Sequence, residues 1–234
     1  MLLKNMSDYF TKKELLLWIG SILTILISFI LFKGDNTLSL IASLIGVTSL
    51  IFCAKGNPFG QFLIIIFSLL YGIISFSYAY YGEMITYLGM TAPIALFSMI
   101  TWLKNPYEGN KLEVEVKHLK LKDIIPMIIL TVIVTFVFYF ILDYFNTANL
   151  IPSTFSVTTS FLAIYLTTKR SPFYAVAYAA NDLVLIVLWS IAAKTNITYV
   201  SVIVCFAVFL LNDIYGFINW QKMHKRQTTG EMCQ

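Results

Sequence analysis

Two Asn-Asp pairs, Asn181-Asp182 and Asn212-Asp213, stand in the middle of long stretches that hold no Lys or Arg. Polar groups in such surroundings are costly to expose to lipid. They turn inward, to serve as hydrogen-bond glue between helices or as ligand contacts. At about 100° per residue, Tyr174, Tyr178, Asn181, Asp182 and Trp189 share one side of a helix. Asn212, Tyr215 and Asn219 line a second, with Asp213, Gly216 and Trp220 as the adjoining stripe. Gln61, Ser68, Tyr71, Ser75 and Tyr78 share a sector of a third. Glu83, Tyr87, Thr91, Ser98 and Trp102 share a sector of a fourth, which Pro93 interrupts in mid-span. Asn and Gln amides donate and accept at once, which suits hydroxyls and a carboxamide, and Tyr and Trp faces suit a flat or cationic ring. Trp102 and Trp220 lie near helix ends, where an indole serves either as a binding wall or as an interfacial anchor. The two aspartates have no cation beside them in sequence. They are protonated, bonded to Asn or Tyr, or wetted by a cavity.

This is a set of residues for binding a small polar molecule rather than for reacting with it. There is no Gly-x-Ser-x-Gly motif, no metal-ligand cluster and no expected pairing of carboxylates across facing helices. His118 and His224 fall outside the apolar stretches, and Cys53, Cys205 and Cys233 are too far apart for a metal site. They read as apolar filler and a free thiol in the tail. No catalytic residue, metal or cofactor is expected.

The elements that hold these residues are membrane helices. Hydrophobic residues make up 59% of the 234 residues and charged ones only 12%, and the mean hydropathy is +0.80. Such a chain has too little polar surface for a soluble globule. Runs long enough to cross a bilayer cover 15–32, 38–54, 62–81, 84–103, 126–145, 151–167, 173–193 and 199–220. The first is too long for the core of a signal peptide and has no small-residue cleavage site after it, so it reads as a retained helix. Of the 16 basic residues, all but Lys33 and Lys194 fall in the segments on the side of the N-terminus. The positive-inside rule then makes both termini cytoplasmic and favours an even number of spans. The net charge of +4 reflects this topology, and no basic stripe points to nucleic acid.

The second half echoes the first. Lys55–Phe62 (KGNPFGQF) matches Lys169–Val176 (KRSPFYAV) at an offset of 114 residues, and Met99–Lys104 (MITWLK) matches Phe217–Lys222 (FINWQK) at 118. The fold expected is all-α and polytopic, with two parallel three-helix repeats, a linker helix between them and one leading helix, a 1+3+1+3 arrangement. The divisions are 1–34 for the leading helix, 35–104 for the first bundle, 105–148 for a cytoplasmic loop and the linker, 149–222 for the second bundle and 223–234 for a cytoplasmic tail. The loop around Leu112–Leu121 alternates polar and apolar residues and reads as a short cytoplasmic hairpin or a strand-like loop. Two bundles around a polar centre suit alternating access, with Pro93 as a hinge candidate.

The segments GNPFGQ, YYGEM, MITWLKNP, NDLVLIVLW and above all NDIYGFINWQKM resemble the PnuC-type nicotinamide riboside (vitamin B3) transporters, over about Leu15 to Met223. The resemblance implies a fold similar to the SWEET transporters, frequent homotrimers and a bacterial inner membrane. It also implies facilitated diffusion of nicotinamide riboside for NAD synthesis, with a cytoplasmic kinase trapping the product. By position, Asn181, Trp189, Asn212, Tyr215 and Trp220 match the family's Asn and aromatic pattern. Asp182, Asp213, Gln61, Tyr71, Tyr87 and Trp102 complete the expected substrate-binding set. The aspartate after each Asn departs from the more familiar pattern. Relatives on this scaffold carry thiamine, riboflavin or deoxynucleosides, and these cargoes, or less readily a sugar, are the alternatives.

Overall fold

The structure is a computed structural model that describes residues 9–33, 37–77, 81–147 and 149–231. Among these residues eight helical spans are long and apolar enough to cross a bilayer. The first three are α1 (Lys12–Leu31), α2 (Thr37–Ala54) and α3 (Pro58–Ser77). The fourth combines α4 (Tyr81–Ile85), a π-helical turn (Thr86–Thr91) and α5 (Ala92–Lys104). A hairpin of β1 (Pro106–Tyr107) and β2 (Asn110–Val114) leads to α6 (Leu121–Tyr144). α7 (Leu150–Thr168), α8 (Tyr174–Ala193), a 3-10 turn (Ile197–Tyr199) and α9 (Val200–Glu231) follow. The spans agree with the hydropathy runs within a few residues, except that α9 continues past Trp220.

The two halves repeat each other in detail. α2 and α7 end alike, with Gly56 and Arg170 both at positive φ (67° and 59°). Asn57 then caps α3 by accepting from Phe59 N–H at 2.9 Å, and Ser171 accepts likewise from Phe173 N–H at 3.4 Å. Lys55 pairs with Glu14 at 3.0 Å and Lys169 with Asp123 at 2.8 Å. Each of these acids sits in the first turn of its helix and accepts from a backbone N–H three residues earlier, Thr11 or Lys120. The first helix therefore has a counterpart in α6, and the correspondence runs over four helices. Sequence reading treats α1 as an addition because no motif links it to the linker.

The counterparts differ in what they touch. α1 packs on both α2 and α9, whereas α6 packs chiefly on α7 and is otherwise open, with Ile128, Val132, Phe136 and Phe140 exposed to the surroundings. A lipid-facing helix needs no polar partners, so this is the most apolar of the spans.

At the end carrying Lys55 and Lys169 lies the hairpin, which shares only Leu112–Val114 with the alternating segment. Glu108 and Gly109 take positive φ (47° and 77°) at its turn. Its continuation straps the halves together. Val114 N–H donates to Gly56 O, Lys117 N–H to Arg170 O and Val116 N–H to Gln227 Oε1 of the long α9. Glu115 pairs with Arg170 and Glu113 with Arg226. His118 and His224, which sequence reading leaves without a role, meet ring to ring beside this strap. The Asp123 carboxylate holds the Lys169 ammonium above its ordinary range.

Candidate functional site

Pro93 cannot donate a backbone N–H, and the chain responds by widening just before it. Ala92 N–H reaches back to Tyr87 O across the π turn. The widened turn swings Thr86, Tyr87 and Thr91 toward the molecular interior, where they line a chamber of about 30 Å3. A second chamber, of about 60 Å3, lies between α1, α2, α3, α8 and α9. Tyr71, Glu83 and Trp189 line both, so the two are adjoining compartments of one region. The Tyr71 and Tyr87 rings stand 4.7 Å apart, and Trp189 lies 5.2 Å from Tyr199. Ser153, Ser156 and Ser160 of α7 supply hydroxyls. Among the described residues, no Lys, Arg or His lines either chamber.

Both chambers lie toward the end away from the hairpin. Below them the interior is filled. Gln61 is buried and donates to Cys53 Sγ at 3.3 Å. Asn181 accepts from Ser156, Thr159 and Ser160, which fixes α8 to α7 at the chamber floor. Asp182 and Asp213, each 4% exposed, bring their carboxyls close together in this layer.

Nearest the hairpin, Trp102 and Trp220 are fully buried, with ring centroids 5.3 Å apart. Trp102 Nε1–H donates to Thr167 O at 2.9 Å and Trp220 Nε1–H to Cys53 O at 2.8 Å. They are neither lipid-facing anchors nor chamber walls; they clasp the two halves. Asn212 and Tyr215 turn elsewhere again. Asn212 Nδ2 donates to Ser21 Oγ at 2.9 Å and Tyr215 to Glu14 Oε1 at 2.8 Å, so both hold α1. Of the expected binding residues, the structure brings Tyr71, Tyr87 and Trp189 to the chambers and Asn181 to their edge. Asp182, Asp213 and Gln61 lie in the packed layer beneath. Tyr78 lies outside the described residues, as does Cys233. Glu83 was visible in sequence only as one polar residue in a stripe, and its place on both chambers comes from the short α4.

Comparison with known proteins agrees with this architecture. The family described as "Nicotinamide mononucleotide transporter" matches residues 36–222. The nicotinamide riboside transporter PnuC of Neisseria mucosa is 25% identical over 237 residues, covering 96% of this chain and 90% of the relative. That of Haemophilus influenzae is 25% identical over 195 residues, covering 82% of each. A crystal structure of the vitamin B3 transporter PnuC superposes with a TM-score of 0.80 at 24% identity, covering 93% of this chain and 94% of that one. With a match across most of its length and the same fold, the chain belongs to the nicotinamide mononucleotide transporter family, a family of membrane transporters and not of enzymes.

Proposed function

We propose that this transporter carries nicotinamide riboside, by facilitated diffusion, through the chambers lined by Tyr71, Tyr87 and Trp189. The observation that carries this reading is the lining itself: aromatic rings and serine hydroxyls, with no Lys, Arg or His among the described residues. The mononucleotide of the family's description bears a phosphate, which calls for Arg, Lys or a cluster of N–H donors. The riboside asks only for ring stacking and hydroxyl partners, which these walls offer. The two named relatives, nicotinamide riboside transporters, support the same choice.

The chambers are narrower than a nucleoside, so loading requires the halves to part, in keeping with alternating access. The segregation of basic residues supports a cytoplasmic position, in a bacterial cell, for the hairpin end and both termini. On that reading the tryptophan clasp and the strap close the cytoplasmic side, and the chambers lie toward the outside. Parting of the clasp then opens the inner path. The two bundles of 35–104 and 149–222 are the moving bodies, with α1 riding on α9 and the π turn before Pro93 as the flexible point. Assembly as a homotrimer and trapping of the product by a cytoplasmic kinase for NAD synthesis complete the proposal.

Equilibrium binding of nicotinamide riboside and nicotinamide mononucleotide to the purified protein tests it. Saturable binding of the riboside, at least about tenfold tighter than that of the mononucleotide, is expected. Tighter binding of the mononucleotide overturns it.

A further inference from the structure

Among the described residues that line the two chambers, Glu83 alone carries a carboxylate, and it lines both. None of the ion pairs among the described residues includes it. The Asp182 and Asp213 carboxyls are buried in the layer beneath and line neither chamber. Glu83 shares the junction of the chambers with Tyr71 and Trp189, and the Ser75 hydroxyl lies beside its carboxyl. Its helix, α4, is a single short turn that the π turn separates from α5.

We propose that Glu83, with the Tyr71 and Trp189 rings, forms a subsite for a flat cationic ring and selects cargo by that charge. The inference rests on the riboside reading and goes further, because it assigns the pyridinium rather than the ribose to this junction. An acidic group and aromatic faces attract the same cation together, the carboxylate by charge and the rings by their quadrupoles. A neutral ring of the same shape gains only the stacking. The carboxylate also repels a phosphate, so one residue discriminates against both a reduced ring and a nucleotide.

The test uses the full chain in detergent and two probes: nicotinamide riboside and its 1,4-dihydro form, which keeps the ribose and carboxamide but has an uncharged ring. The wild-type protein is expected to bind the cationic form at least about tenfold more tightly. Glu83→Gln is expected to weaken the cationic form alone, bringing the two affinities within about threefold, and Glu83→Asp to keep much of the preference. The unchanged affinity of the dihydro form certifies that Glu83→Gln is folded. Equal wild-type affinities overturn the assignment without any variant and leave the riboside reading intact. A Glu83→Gln protein that keeps the wild-type preference, or loses both ligands alike, overturns it too. If the wild type binds neither form, the riboside reading falls and this inference with it.

Discussion

Trp102 and Trp220 hold the two halves of the protein together by reciprocal bonds. Each indole donates to the last turn of the first helix in the opposite repeat, one to Thr167 O and the other to Cys53 O. Cys53 and Thr167 are themselves 114 residues apart, the offset of the sequence repeat. A clasp of this kind is broken by one substitution on either side. In a C205S/C233S background, Trp220→Phe keeps the ring but removes the N–H. Labelling of the buried Cys53 by a thiol reagent is expected to rise several-fold, with a loss of about 1 kcal/mol in unfolding free energy. Unchanged labelling shows that the clasp does not govern access.

Asn212 and Trp189 are both polar or aromatic residues in the middle of their helices, but they do different work. Asn212→Ala severs the bond to Ser21 and is expected to cost about 1–2 kcal/mol of stability while changing riboside affinity less than about twofold. Trp189→Ala removes a wall common to both chambers and is expected to reduce affinity at least about tenfold. Thermal unfolding and ligand binding measured on both variants separate the two roles. A large loss of affinity in Asn212→Ala contradicts its placement against α1.

The contrast shows where sequence stops being informative. Hydropathy and charge segregation delimit all eight spans, and the Pro-Phe and Trp motifs mark the repeat, because each reports on a local or periodic property. The azimuth of a polar residue within a helix is equally visible. Which neighbour it faces is not. Asn212, Tyr215 and Trp220 share a broad polar face, yet two meet α1 and the third meets α2, since only packing of the repeats decides this. The closeness of Asp182 to Asp213 likewise depends on the relative height of α8 and α9. The π turn at Thr86–Thr91 is foreshadowed only by Pro93.

Close approach of helix backbones gives a further expectation. A Cβ on Gly60 meets Cys53 N and Sγ at 2.6 Å and Ser49 O at 2.9 Å, so α3 rests on the backbone of α2. Gly60→Ala is expected to destabilise the protein by about 2–3 kcal/mol, since backbone cannot give way as a side chain does. Gly20→Ala, with nothing within 4 Å of the added carbon, is expected to be neutral or slightly stabilising. Unfolding midpoints of the two variants check this, and equal midpoints contradict the α2–α3 contact.

The ion pairs at the first turns of α1 and α6 are equivalent in position and unequal in burial. The Glu14 side chain is 3% exposed and that of Lys55 18%, whereas Lys169 is 37% exposed. Glu14→Gln removes the charge that pairs with the half-buried Lys55 and is expected to cost about 3 kcal/mol. Asp123→Asn is expected to cost less than about 1 kcal/mol. Denaturation of both variants at low and high salt measures the difference, and the smaller effect is expected to shrink further in salt.

Counterflow into liposomes tests the central claim most directly. Purified protein is reconstituted into vesicles loaded with unlabelled nicotinamide riboside, and uptake of labelled riboside is followed against an outside excess of riboside or of the mononucleotide. The account predicts saturable uptake that the riboside competes away, that the mononucleotide leaves largely intact, and that Trp189→Ala abolishes. Absence of exchange, or equal competition by the mononucleotide, contradicts it.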